Sequence, residues 1–262
     1  IIHYFIFYNH VADFSYLETR KCPACFGHAL CKDMRDEGIA KLEGYSKLQF
    51  LNSLANVKNV NYGTYGGKKV VFKKLAHNNE LGDFDADLCK KAGMGSSCKL
   101  GDAIHKLVKA SRMLPPEEVA GISDMTHCPT MRLTDRMVDR YLEKADAIDM
   151  SYPEKLTLMT TLMVNPEPIL IQTFPKREGF PFPEYIGACG RFVVVENVGR
   201  TLGEYYNAPW EERLDYATQL FRIAELFTEN KSEFALYWTD LSYENFAISS
   251  DGKVVIIDAE NI

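Results

Sequence analysis

No run of about 18 apolar residues occurs anywhere in the chain, so no segment is expected to cross a membrane as a helix. A basic excess is missing too. Lys and Arg total 30 against 36 Asp and Glu, a net charge of −6, which gives no long-range electrostatic support to nucleic-acid binding. No internal repeat or low-complexity tract is present, so neither a repeat array nor a biased disordered segment is indicated. The chain opens on "IIHYFIFY" without the basic flank and cleavage site of a signal peptide; that stub reads equally as the remainder of a signal or anchor segment and as a buried strand. What remains is ordinary globular composition, 46% hydrophobic and 25% charged over 262 residues, enough for a sizeable core and one or two domains.

Cysteine is not scarce. Cys22, Cys25, Cys31, Cys89, Cys98, Cys128 and Cys189 are present, and most crowd the turn-rich segments "KCPACFGHALCK" and "CKKAGMGSSCK". Clustered loop cysteines indicate at least two disulfides and an oxidising compartment. The odd count leaves one thiol free or paired outside the chain. The sequon Asn230-Lys231-Ser232 agrees weakly with such a compartment. Cys22, Cys25, His28 and Cys31 stand three apart. That spacing puts them on one helical stripe or on a loop too short to wrap a tetrahedral ion, so disulfides are favoured over zinc. The acidic run "DFDADL" has Leu88 where a Ca²⁺ loop needs Gly and Met94 where it needs Glu, and reads as a solvated acidic loop.

Along the chain, "GIAKLEGYSKLQFLNSLANV" has helical apolar spacing, and "VNYGTYGGKKVVFKKL" reads as short strands about a Gly-rich turn. Residues 76–150 are polar, with helical stretches near "DAIHKLVKASRML" and "RLTDRMVDRYLEKADAI", and read as an insertion. A helix is expected over 153–164, with Leu156, Met159 and Leu162 or Met163 on one face and Ser151 with Glu154 as a capping box. "ILIQTF" and "RFVVVENV" read as strands. A long helix follows in "PWEERLDYATQLFRIAELFTEN", with Leu214, Ala217, Phe221, Ala224 and Phe227 as its apolar face, Asn207 as cap and Pro209 in its first turn.

The final segment, "YWTDLSYENFAISSDGKVVIIDAEN", carries the chemistry. Turn-forming residues Ser249 to Gly252 between apolar runs predict a hairpin. A hairpin brings Asn245 and Asp258 together at its open end, with Asp240 on the loop just before. Asp and Asn oxygens suit Mg²⁺, which uses few protein ligands and takes substrate phosphates for the rest.

This arrangement resembles the catalytic core of protein kinases, in which a D-x-x-x-x-N loop and a following strand-end Asp serve the base and the metals. The resemblance implies an α+β, protein-kinase-like two-lobe fold, with Asp240 as catalytic base and Asn245 and Asp258 as Mg²⁺ ligands. "VVFK" makes Lys73 the phosphate-gripping lysine, and "RFVVVENVGRTLGEYY" makes Val195 the gatekeeper, with Glu196 and Val198 on the adenine-facing hinge. The motifs "KCPACFG", "NVKNV", "NPEPILIQTFP", "YIGACGR", "NAPWEER" and "DGKVVIIDAEN" are similar to those of the divergent protein kinase domain family, branch 2, the group containing the deleted-in-autism proteins.

Membership implies ATP and Mg²⁺ as cofactors, a Golgi-luminal or secreted location, and an unidentified protein acceptor or receptor. It divides the chain into a Cys-containing extension (1–58), a kinase-like N-lobe with the insertion (59–198) and a partial C-lobe (199–262), truncated just after the D-F-G-equivalent Asp258. Departures from the active pattern are several. Trp238-Thr239 replaces His-Arg, Ser242 stands where a cation is usual, and Asp258-Ala259-Glu260 replaces D-F-G. Gly63, Gly66 and Gly67 do not make a G-x-G-x-x-G loop and read as a tight β-turn. Glu154 is the one carboxylate in the expected 153–164 helix to pair with Lys73, although its place in the capping box argues against that role. Two functions follow: an atypical kinase transferring phosphate to a hydroxyl, or a catalytically inactive pseudokinase acting as a secreted or luminal binding protein.

Overall fold

The computed structural model describes residues 16–36, 38–42, 60–145 and 148–262. Its centre is a five-stranded antiparallel sheet of β1 (Ala40–Leu42), β2 (Val60–Tyr65), β3 (Lys68–Lys73), β4 (Tyr185–Cys189) and β5 (Phe192–Glu196), in the order β1-β2-β3-β5-β4. Strands β2 and β3 join through Gly66 and Gly67, whose φ angles of 56° and 78° are those of the tight hairpin turn expected there. Two successive positive φ values favour glycine because it has no Cβ to clash.

Period-two alternation gives the sheet two buried faces. Val70, Phe72, Phe192 and Val194 pack with Leu17, Leu30 and Met34 of the Cys-containing N-terminal segment. Val71 and Val195 face the main helical core. The bridge Cys31–Cys189 fastens the Cys-containing N-terminal segment to β4, Cys22–Cys25 closes a short loop within that segment, and Cys89–Cys98 closes a loop of nine positions in the stretch 76–150; Cys128 is a free, exposed thiol. Cys22, Cys25 and His28 do lie close enough together to hold an ion, but the two sulfurs are bonded to each other.

Seven α-helices are found among the described residues: α1 (Asn78–Lys91), α2 (Leu100–Leu107), α3 (Pro116–Val119), α4 (Met131–Ala145), α5 (Tyr152–Val164), α6 (Glu167–Thr173) and α7 (Trp210–Thr228). None is long and apolar enough to cross a membrane. The "DFDADL" run is not a loop; it lies within α1. Asp85 is paired with Lys21 and with the guanidinium of Arg191, a fully buried side chain. A buried guanidinium needs a carboxylate partner, which outweighs the solvation expected of an acidic stretch.

Helix α5 has its Ser151–Glu154 capping box. It is buried from Lys155 to Leu162 and not along one stripe, because it runs through the middle of the core. "ILIQTF", expected as a strand, is helical in α6. A six-residue apolar run does not distinguish strand from helix by period. The decision lies just upstream, where the Asn165 side chain accepts from the Glu167 N–H (2.9 Å) and Pro166 and Pro168 frame the first turn.

Of the stretch expected as a helix over 38–57, Ala40–Leu42 is strand β1; residues 43–59, like the 1–8 stub, lie outside the described residues. Helix α7 begins one residue after Pro209, which takes the cap position expected for Asn207. It buries Tyr216, Ile223 and Phe227, whereas Leu214 and Phe221 are exposed, at 51% and 75%. The face turned inward is the one that meets the hairpin. There Gln219 accepts from the Val254 N–H (2.9 Å) and donates to the Gly252 carbonyl (2.9 Å). Phe221 lines an open groove of about 820 Å³ with Leu220, Ala224, Trp238, Leu241 and Tyr243. A second sheet, β6 (Arg200–Thr201), β7 (Phe246–Ile248) and β8 (Val254–Ile256), contains the expected hairpin.

Candidate active site

Strand β3 ends at Lys73, whose neighbours in register are Val60 and Val193. Its ammonium donates to both carboxylate oxygens of Glu167, at 2.8 and 3.2 Å, and to the Ile257 carbonyl at 2.5 Å. Both side chains are largely buried, at 13% exposure for Lys73 and 3% for Glu167. The partner of Lys73 is therefore Glu167 and not Glu154, whose carboxylate is occupied by the Ser151 N–H at 2.6 Å. Sequence reasoning missed Glu167 because reading "ILIQTF" as a strand removed the helix to which it belongs. The signal was the segment Asn165-Pro166-Glu167-Pro168, an Asx residue and prolines at a helix start.

The Glu167 carboxylate also accepts from the Ala259 N–H (3.4 Å), and Asn165 donates to Glu260 (2.5 Å) and to the Leu75 carbonyl (3.3 Å). These contacts enclose a small polar cleft of about 190 Å³, lined by Lys73, Lys74, His77, Glu80, Asn165, Glu167, Asp258 and Glu260 among others. Lys73 and Asp258 thus share one space although 185 positions separate them in sequence.

Asp258 is positioned by the hairpin. Pairing of Phe246 with Ile256 is extended by the Ile257 N–H, which donates to the Asn245 carbonyl at 2.8 Å. Asn245 therefore sits at the open end beside the strand that delivers Asp258, as turn placement predicted. It is 3% exposed, and its amide nitrogen donates to the Asp240 carbonyl and to its carboxylate, both at 3.0 Å. Spending the amide N–H groups on Asp240 leaves Oδ1 as the Asn245 atom for a cation. Asp240 itself is exposed. Its loop is fixed by Trp238, stacked edge-to-face on Phe246 with centroids 4.9 Å apart, and by the Thr239 N–H, which donates to the Asn261 carbonyl at 3.3 Å. Lys73 and Asp258 line the cleft, whereas Asn245 and Asp240 are not among its lining residues; Asp and Asn oxygens are donors of the type that suits a hard cation.

Glu196 and Val198 do not line this cleft. Glu196 ends β5 and pairs with Lys176 at 2.9 Å, while its N–H donates to the Glu184 carbonyl (2.9 Å). Val198 is half-buried and Val195 is buried. Ser242 is exposed. At the sequon, Asn230 donates to the Leu226 (2.9 Å) and Phe234 (2.7 Å) carbonyls and caps the end of α7.

Comparison with known proteins places these residues in context. Residues 159–262 match a family model described as the protein-kinase domain of FAM69, a match that includes Asn165, Glu167, Asp240, Asn245 and Asp258 and begins after Lys73. Divergent protein kinase domain 2A of Xenopus tropicalis is 44% identical over 270 residues, which is 97% of this chain and 62% of that protein. The Homo sapiens protein of the same name is also 44% identical, over 97% of this chain and 63% of its own length. Divergent protein kinase domain 2B of Homo sapiens is 33% identical over 95% of this chain and 60% of its own length. The chain spans about three fifths of the length of these relatives. No solved structure matches it.

Proposed function

This chain belongs to the divergent protein kinase domain family, and on that premise we propose that it binds ATP with Mg²⁺ in the Lys73–Glu167–Asp258 cleft and transfers phosphate to a hydroxyl acceptor. The observation that carries the reading is the Lys73–Glu167 pair at 2.8 Å, with the Lys73 ammonium also bonded to the carbonyl just before Asp258. Burying a lysine and a carboxylate is costly for stability alone. In a phosphate site the same pair orients a cation toward the ligand.

Bound Mg–ATP would supply the electrophilic phosphorus and neutralise charge on the phosphate oxygens. The chain's own residues then have separable tasks. Lys73 grips phosphate oxygens and is aimed by Glu167. Asn245 Oδ1 and the Asp258 carboxylate are the hard oxygen donors that would hold the metal. Asp240, exposed at the loop surface and steadied by the Asn245 amide, orients the acceptor hydroxyl and takes its proton late. Glu196 and Val198 lie outside this polar cleft, so they would meet the adenine beyond it, through main-chain groups other than the Glu196 N–H that the Glu184 carbonyl takes. The three disulfides suit an oxidising compartment, and we assign the protein to the Golgi lumen or the secreted fraction, with an acceptor or receptor protein as partner.

The second reading, a pseudokinase that binds partners and does not transfer phosphate, is favoured by exposed Ser242 in place of the catalytic-loop cation. Thermal shift with ATP in the presence of Mg²⁺ or EDTA decides on binding. Ligand at about 100 times Kd should stabilise the protein by roughly 2.7 kcal/mol. Asp258→Asn should remove the Mg²⁺-dependent part and leave the apo Tm nearly unchanged. No nucleotide shift in the wild type would transfer the argument to the binding-protein reading.

A further inference from the structure

Asn165 and Glu260 have no role in the reading above, yet both touch its machinery. Asn165 is 4% exposed, and its polar groups are committed in four directions. Its N–H closes α5 on the Thr161 carbonyl (2.9 Å) and its Oδ1 opens α6 on the Glu167 N–H (2.9 Å). Its amide nitrogen donates to the Leu75 carbonyl beyond β3 (3.3 Å) and to the Glu260 carboxylate (2.5 Å). Capping a helix requires only an acceptor, which Ser or Asp would provide equally well. Asp at this position would set a third carboxylate against Glu167 and Glu260, and Ser has no second donor. Donating to both the Leu75 carbonyl and the Glu260 carboxylate while accepting from the Glu167 N–H is what demands an amide.

Glu260 stands at the third position of Asp258-Ala259-Glu260, where D-F-G has the conformationally free glycine. Here that position is a side chain tied to the core. On one side of Asp258 the Ile257 carbonyl accepts from Lys73; on the other the Ala259 N–H donates to Glu167. We infer that Asn165 and Glu260 form a latch that holds Asp258 and the Lys73–Glu167 pair in a single arrangement, which makes Asn165 a positioning residue of the cleft. The functional meaning of the latch rests on the nucleotide reading; its mechanical part does not. The cleft is preset, and the segment bearing Asp258 does not rearrange between a working and an idle state.

Two measurements on the full-length protein test this. Amide hydrogen exchange over residues 257–261 of the ligand-free protein should quicken by about tenfold in Glu260→Ala and in Asn165→Ala, the scale of one lost buried hydrogen bond. Glu260→Gln, which keeps an acceptor for the Asn165 amide, should restore most of the protection. Titration with Mg–ATP should show Kd weakened by about tenfold in each alanine variant, with the double variant no worse than either single one, and largely rescued in Glu260→Gln.

Unchanged exchange in the alanine variants, additive losses, or a Glu260→Gln variant as impaired as Glu260→Ala would overturn the latch; the last would make Glu260 a charged ligand of the cation. If wild type does not bind Mg–ATP, the nucleotide reading fails and the exchange measurement alone decides the latch. If Asn165→Ala does not fold, the half-buried Glu260 pair of variants carries both measurements.

Discussion

Replacing Glu167 by Gln keeps the shape of the side chain and removes the charge opposite Lys73. At 2.8 Å and an effective dielectric of about 20, the attraction between the two charges is about 6 kcal/mol, much of it offset by the cost of taking both ions out of water. What the variant loses is set by the lysine left behind. The Ile257 carbonyl remains as a partner at 2.5 Å, and 13% exposure lets the cleft's water reach the ammonium. The loss should therefore fall at the low end of the roughly 3–5 kcal/mol seen when one half of a buried pair is removed, about 3 kcal/mol. In a chain of this size that lowers Tm by roughly 6–12 °C.

Lys73→Met strands Glu167 at 3% exposure with the backbone N–H of Ala259, at 3.4 Å, as a donor to its carboxylate, and should cost at least as much. The double variant removes both charges and should lose only about 1 kcal/mol, so the two single losses are far from additive. Urea unfolding of the four proteins measures this cycle. Glu154→Ala is the control: it removes a capping box, should cost about 1 kcal/mol or less, and should leave nucleotide stabilisation intact. A coupling below about 0.5 kcal/mol between positions 73 and 167 would refute the pairing. So would equal effects of Glu154→Ala and Glu167→Gln on nucleotide binding.

Asp240→Asn should behave unlike Asp258→Asn: Mg–ATP binding survives while phosphoryl transfer, followed with labelled nucleotide, falls by at least about a hundredfold. Alkylation without reductant should label one cysteine, Cys128, and intact mass should show three disulfides. Removing Cys31–Cys189, which closes 158 residues, should destabilise by roughly 5 kcal/mol on loop-entropy grounds, against roughly 2 kcal/mol for Cys22–Cys25; comparable losses would contradict that account. Burial, and then the hydrogen bond to Asp33 at 2.6 Å, push the Tyr65 phenol up to about 12 from its ordinary 10.0. Because the folded value is the higher one, the stability it contributes is complete below pH 10 and is lost as pH rises toward 12. Tyr65→Phe should flatten the urea midpoint over that window, and an unchanged slope would argue against the Asp33 contact.

Local signals settled what depends on neighbours in the chain. Turn chemistry at Gly66-Gly67 and at Ser249–Gly252 placed both hairpins, and the second of these by itself put Asn245 at the base of the strand leading to Asp258. The Ser151-x-x-Glu154 pattern was enough to make Glu154 a cap, and loop cysteines in two clusters were enough to indicate disulfides. Period failed where burial is complete. Helix α5 and the "ILIQTF" segment are buried on every side, so spacing gave the right element but not the buried face of α5, and the wrong element for "ILIQTF". The direction of α7 was likewise misjudged, because its more regular apolar stripe, with Leu214 and Phe221, is not the one that meets the hairpin. Partnership of charges was decided by tertiary structure alone. Lys73 found Glu167 across 94 positions, and Asp85 was drawn into the core by a buried guanidinium 106 positions away. An ion pair gains most where water is excluded, and which positions lose their water is a property of the packed molecule that no local stretch of sequence encodes.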